Sequence, residues 1–163
     1  MADLIARTPL AELLPVTIGS VTMTEVVHDR LTLIAPFRGR EVSGFPAPNR
    51  TTEAAIWVGQ GQALWIGDPP DPGDAAALTD QTDAFAIARI AGEGVEDVLA
   101  RLVPVDLRLP GFAIGNTART LLGHMTASVT RRDAQVFEVM VMRSMARTLV
   151  HDLTRAARGV ALR

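Results

Sequence analysis

The chain has 163 residues, 48% of them hydrophobic, with 16 basic and 18 acidic side chains for a formal net charge of −2 and no cysteine. That length allows one domain with a real core, or two small halves sharing one. The lack of cysteine excludes disulfides, iron–sulfur clusters and thiol nucleophiles, and no window approaches the roughly 18 consecutive apolar residues of a membrane-spanning helix.

After a terminal segment, Val21 to Val27 and Leu31 to Pro36 read as short strands joined by a turn at His28-Asp29-Arg30. Ile56 to Val58 and Ala63 to Ile66 form a hairpin across Gly59-Gln60-Gly61-Gln62. The breaker cluster GDPPDPGD at Gly67 to Asp74 marks the one internal boundary, dividing a β-rich first half (residues 1–75) from a second half (76–163). Ala84 to Ile90 is strand-like. Then Val95, Val98, Leu99, Leu102 and Val103 fall at helical spacing, with Glu93, Glu96 and Asp97 near the start and Pro104 at the end.

Thr117 to Leu122 and His124 to Arg131 predict a hairpin around Gly123, followed by a strand over Gln135 to Met142. On alternation, His124 shares a face with Thr126 and Ser128. A last helix begins near Ser144 as N-cap, carries Met145, Leu149, Val150, Leu153, Ala156 and Val160 on one side, and has Gly159 as its expected C-cap. The order β, α, β, β, β, α in the second half is close to a ferredoxin-like, split βαβ arrangement. The expected class is α+β, a single domain with antiparallel sheets and helices on one face.

Little in the sequence points to chemistry within the chain. GQGQAL at Gly59 to Leu64 lacks the third glycine and the following helix of a dinucleotide loop, so it reads as a hairpin turn. His28, His124 and His151 are far apart and form no ligand pair at helical spacing. Ser144 reads as a helix cap, and Ser128 sits in a strand without a nucleophile elbow. No catalytic, cofactor-binding or metal-binding residue is assigned. Asp80, Thr82 and Asp83 are expected to cap and turn the chain into its strand.

All 16 basic residues are arginine, a side chain favoured at interfaces, although a GC-rich genome produces the same bias. The hydropathy, +0.21 on average, fits apolar surface covered by a partner or a core rich in alanine and valine. Residues 1–110 hold 15 acids and 8 arginines and residues 111–163 hold 3 acids and 8 arginines, segments of −7 and +5. The overall negative charge and the lack of aromatics among those arginines argue against nucleic acid. Asp3, Arg7 and Glu12 stand where a signal peptide needs an apolar run, so a cytoplasmic location is expected.

Several separated motifs carry a resemblance. TDQTDAFAIARIAGEGVEDVLARLVPVDL from Thr79, TARTLLGHM from Thr117 and RSMARTLVHDL from Arg143 follow in order, preceded by APFRG at Ala35 and PAPNR at Pro46. Together they resemble the gamma subunit of heterotetrameric sarcosine oxidase, whose fold is similar to aminomethyltransferase and tetrahydrofolate-binding domains. The sequence departs from that family where Arg40 to Phe45 and Asp68 to Asp74 are too short for the helices expected there, so the first half is a trimmed version.

The resemblance implies a cytoplasmic companion of alpha, beta and delta subunits that oxidise sarcosine to glycine and pass on a one-carbon unit. FAD, FMN, NAD and tetrahydrofolate would then lie on those subunits, none on this chain, and the isolated chain would be inactive. Arg119, His124, Arg143 and His151 are candidate contacts with the alpha subunit, with a solvated or locally bonded role and direct folate contact as the other readings. Two alternatives stay open: a free-standing folate-binding or aminomethyl-transferring protein, and a companion of another N-methyl amine oxidase.

Overall fold

Two strands are apolar on both sides, and the architecture follows from covering them. In the computed structural model, which describes residues 5–162, these are β7 (Phe85–Ala91) and β10 (Val136–Met142). They pair antiparallel, Ala86 with Val141, Ala88 with Val139 and Ile90 with Phe137. Around them grows a six-stranded antiparallel sheet in the order β1-β2-β7-β10-β9-β8, with β1 at Val16–Ile18, β2 at Val21–Glu25, β8 at Thr117–Leu122 and β9 at Met125–Asp133. A four-stranded sheet, order β4-β5-β3-β6, comprises β3 (Leu31–Pro36), β4 (Ala55–Gly59), β5 (Gln62–Ile66) and β6 (Ala76–Asp80). The class is α+β, as expected.

One face of the larger sheet is covered by α1 (Val95–Leu99) and α2 (Ala146–Ala161). Leu149, Leu153, Ala156 and Ala157 of α2 enter a core with Val98 and Leu99 of α1 and Val129, Phe137 and Val139 of the sheet. At about 1.5 Å per residue, α2 runs roughly 24 Å, enough to cross several strands. The opposite face meets the smaller sheet through Ile87 and Met140 against Leu31, Ile56, Val58 and Leu64. Such double covering is why β7 and β10 show no clean apolar-polar alternation.

The expected boundary at residue 75 does not separate the sheets. β1 and β2 join the larger sheet, with Met23 opposite Ile90, and β6 returns to the smaller one beside β3. The turn at His28-Asp29-Arg30 therefore carries the chain from one sheet to the other. β6 had no periodic signal because four of its five residues are exposed, and β1 is only three residues long.

Other local expectations shift too. α1 stops at Leu99, and the apolar stripe through Leu102 and Val103 continues in turns, with both amides bonded to the Leu99 carbonyl. Ser144 is no cap: it lies in a 3-10 turn over Arg143–Met145, and the N-cap position, Met145, makes no side-chain bond. Gly159 lies inside α2 rather than after it, because the helix runs to Ala161. A Cβ at Gly159 would meet the Arg101 guanidinium, so the glycine serves close packing. His124 sits in the turn before β9 rather than in the strand, and Ser128, on the face turned away from the helices, is buried.

Gly92, at the end of β7, adopts φ +128, and a Cβ there would overlap the Ser20 carbonyl oxygen of the β1–β2 turn. Gly92→Ala combines backbone strain with a backbone clash that no rotamer relieves. It is expected to cost about 2–5 kcal/mol, measured by denaturant unfolding. By contrast, Gly61→Ala has a positive φ but open space around its Cβ, so only about 1 kcal/mol or slightly more is expected.

Candidate functional site

The register that aligns the apolar faces of β7 and β10 also sets Arg89 directly opposite Glu138 on the face turned toward the smaller sheet. Glu138 is 5% exposed and accepts from two arginines: Oε1 from Arg89 Nη2 at 2.8 Å, and Oε2 from Arg132 Nε at 2.6 Å. Burial by itself raises the carboxyl's pKa, but the Arg89 hydrogen bond and the Arg132 charge more than offset this and hold it below the ordinary value. Close enough to feel the charges of this triad stands His28, half-buried, whose Nε2 has no hydrogen-bond partner among the described residues. Burial lowers its pKa, opposed by Glu138 and reinforced by Arg132 and Arg89, with Asp29 adding a small opposing effect.

His28 borders a cleft of about 220 Å³ formed where four segments converge. The N-terminal stretch gives Arg7 and Pro9, the inter-sheet crossing gives Val27, the β6–β7 turn gives Thr82 and Asp83, and the strand-to-helix junction gives Arg143. Arg143 spans two of these walls, donating to the Arg7 carbonyl at 2.7 Å and reaching Asp83 at 3.5 Å. Asp80 shapes the β6–β7 turn by accepting from the Thr82 amide at 2.9 Å and its hydroxyl at 2.7 Å, and the Thr82 hydroxyl accepts from the Leu31 amide at 3.1 Å. These bonds hold the Asp80 carboxyl below its usual pKa, the Thr82 amide contributing most. The expected capping role of Asp80 and Thr82 is thus visible, and Asp83 instead faces Arg143. With its aliphatic walls and a few polar groups, the cleft can hold a small side chain or solute.

The four candidate contact residues do not form one cluster. Arg143 lies at the cleft. Arg119 is exposed on the edge strand β8. His124 and His151 flank the outer surface of α2 in neighbouring grooves, the first with Arg101, Asp152 and Arg155, the second with Leu13, Arg147, Arg155 and Arg158. Gly59 to Gln62 closes the β4–β5 hairpin, with Gly61 at φ +64. Among the described residues, no group of three or more His, Asp or Glu side chains is placed to hold a metal ion, and no helix is long and apolar enough to cross a membrane.

Sequence reasoning missed Arg131. Its side chain is fully buried, bonded to the Leu107 and Ala134 carbonyls and to Glu96 of α1, and its guanidinium lies 4.3 Å from the Phe137 ring centre. An arginine in a strand gives no local signal of burial. The apolar alternation Met125, Ala127, Val129 continues onto position 131, and that was the available hint.

Two expectations about pH follow. His28 has a folded pKa below its unfolded value of 6.5, so the unfolded chain binds more protons and stability falls as pH drops below about 6.5. His28→Gln should remove that part of the loss, read as a flatter melting temperature between about pH 7 and pH 5.5. Glu138 has a depressed pKa, so its contribution is present above 4.5 and is lost as pH falls through the folded value. Glu138→Gln takes the counter-charge from the half-exposed Arg89 and the partly buried Arg132 and should destabilise by about 1–2 kcal/mol at pH 7.

No protein-family model matches the sequence, and no curated protein matches it. Among solved structures, a chain of the heterotetrameric sarcosine oxidase from Corynebacterium sp. U-96, in complex with pyrrole 2-carboxylate, is similar over 96% of this chain and 96% of that one, with a TM-score of 0.79 at 16% identity. At that identity the likeness shows the fold: this chain has the fold of a chain in a heterotetrameric sarcosine oxidase.

Proposed function

We propose that the chain is a non-catalytic companion subunit of a flavin-dependent, sarcosine oxidase-like complex, in the place of the gamma subunit. The observation that carries this reading is the fold likeness along nearly the full length of both chains. The sequence motifs support it independently, because they occupy the joints of the fold. Asp83 of the first motif meets Arg143 of the last across the cleft. PAPNR meets the start of TARTLLGHM: the Thr117 amide donates to the Asn49 carbonyl at 3.0 Å, and the Arg50 guanidinium donates to the Asn116 side chain. The PAPNR contacts tie the segment before β4 of the smaller sheet to β8 of the larger one, and Asp83 with Arg143 joins the ends of β7 and β10 within the larger sheet.

In this reading the flavins, the nicotinamide cofactor and tetrahydrofolate belong to the larger subunits, the complex oxidises sarcosine to glycine and a one-carbon unit, and its location is cytoplasmic. The chain supplies surface and stability, with Arg119, His124, Arg143 and His151 as candidate contacts. The fold leaves the other N-methyl amine oxidase companion as the nearest alternative. The free-standing folate protein is the more distant alternative, because the solved structure that is similar along its full length is a chain of a heterotetrameric complex.

The test is co-expression of sarcosine oxidase catalytic subunits with and without this chain, followed by size-exclusion chromatography and a sarcosine-dependent peroxide assay. The chain is expected to co-elute with flavin absorbance and, purified alone, to be colourless and inactive. Normal assembly and turnover without it, or stoichiometric flavin on the isolated chain, would overturn the reading.

A further inference from the structure

We infer that the outer face of α2 is a docking surface for an acidic protein segment that carries an aliphatic side chain between its carboxylates. Arg147, His151 and Arg155 follow at four-residue intervals, and Arg158 adds the next turn, so all four project from one side of the helix. Each is exposed. Among the described residues, none of the three arginines has a carboxylate oxygen within 4.0 Å, whereas Arg7, Arg30, Arg40, Arg89, Arg108, Arg131, Arg132 and Arg143 each have one.

The fold does not need this stripe. α2 has no acidic residue in its first turn, and Arg147 there opposes the positive end of the helix dipole. Arg155 and Arg158 at i, i+3 are a like-charged pair, which weakens a helix. Arg158 alone gains from its place in the last turn. Beneath the stripe runs a groove of about 450 Å³ with Val150 on its floor and Leu13 along its side, both apolar. Positive rims over an aliphatic floor match carboxylates flanking a Leu-like or Val-like side chain.

A polynucleotide fits less well. The net charge is −2, with 15 of the 18 acids in residues 1–110, and no Phe, Tyr or Trp lines the groove as a stacking platform. The inference rests on the companion-subunit reading only in taking the occupant to be protein. Its test uses no oxidase subunit, so the two can fail separately.

The test is fluorescence anisotropy of the full chain with a labelled Glu-Leu-Glu repeat peptide, the same peptide with Gln for Glu, and a single-stranded oligonucleotide of equal charge. At about 50 mM salt the Glu peptide is expected to bind at least about tenfold more tightly than the Gln peptide, and to weaken as salt rises to about 300 mM. Arg147→Glu/Arg155→Glu should lose at least about tenfold in affinity with an unchanged circular dichroism spectrum, while Arg38→Glu, an exposed arginine elsewhere, should not. If the double reversal fails to fold, Arg147→Gln/Arg155→Gln takes its place with the same expected direction. Equal binding of the Glu and Gln peptides, an equal loss in Arg38→Glu, or tighter binding of the oligonucleotide than of the Glu peptide would each overturn the proposal.

Discussion

The pairing of β7 with β10 is the constraint on which the rest depends. Both strands present apolar residues to both sides, Ala88 and Val139 toward the helices, Ile87 and Met140 toward the smaller sheet. A sheet with such a centre is stable only if covered twice. The chain meets this by placing α1 and α2 on one face and β3 to β6 on the other. The inter-sheet crossing at residues 26–30, the cleft beside it and the burial of Glu138 between Arg89 and Arg132 follow from that choice.

A second, smaller constraint is Arg131. A guanidinium without contact to water has to find acceptors, and here they come from three places: the α1 carboxylate Glu96, the Leu107 carbonyl in the long connection after α1, and the Ala134 carbonyl in the β9–β10 turn. One side chain thereby positions the connection over the sheet. Phe137 packs against the guanidinium and stacks on Phe112 with ring centres 6.5 Å apart, so the same group organises an aromatic layer. Buried ion pairs often add less stability than their geometry suggests, because desolvation opposes the attraction. Their consequence here is positional.

For function, the molecule divides into surfaces of different character. The space between the sheets is used by structural ion pairs and a small cleft whose walls are tied together by Arg143. On the outer face of α2, Arg147, Arg155 and Arg158 have no carboxylate partner among the described residues. Under the companion-subunit proposal, the first belongs to a rigid fold and the second to the outside that meets other chains.

What the sequence by itself determined was local. The apolar stripe of α2 and the hairpins at Gly61 and Gly123 were legible because helical and strand periods repeat within a few residues. The excess of arginine in residues 111–163 was legible from counting. Tertiary structure alone decided which strands share a sheet, because β2 with β7 and β3 with β6 pair across long separations that no local period records. It also decided the outcome for single side chains: Ser144 and Gly159 had cap-like identities, but packing carried α2 past Gly159 and left Ser144 in a 3-10 turn. Arg131 and Arg147 are the same residue type in one basic segment, and the first is wholly buried while the second is exposed. That difference is set by which acceptors the folded backbone brings within hydrogen-bond reach, and the linear sequence carries no record of it.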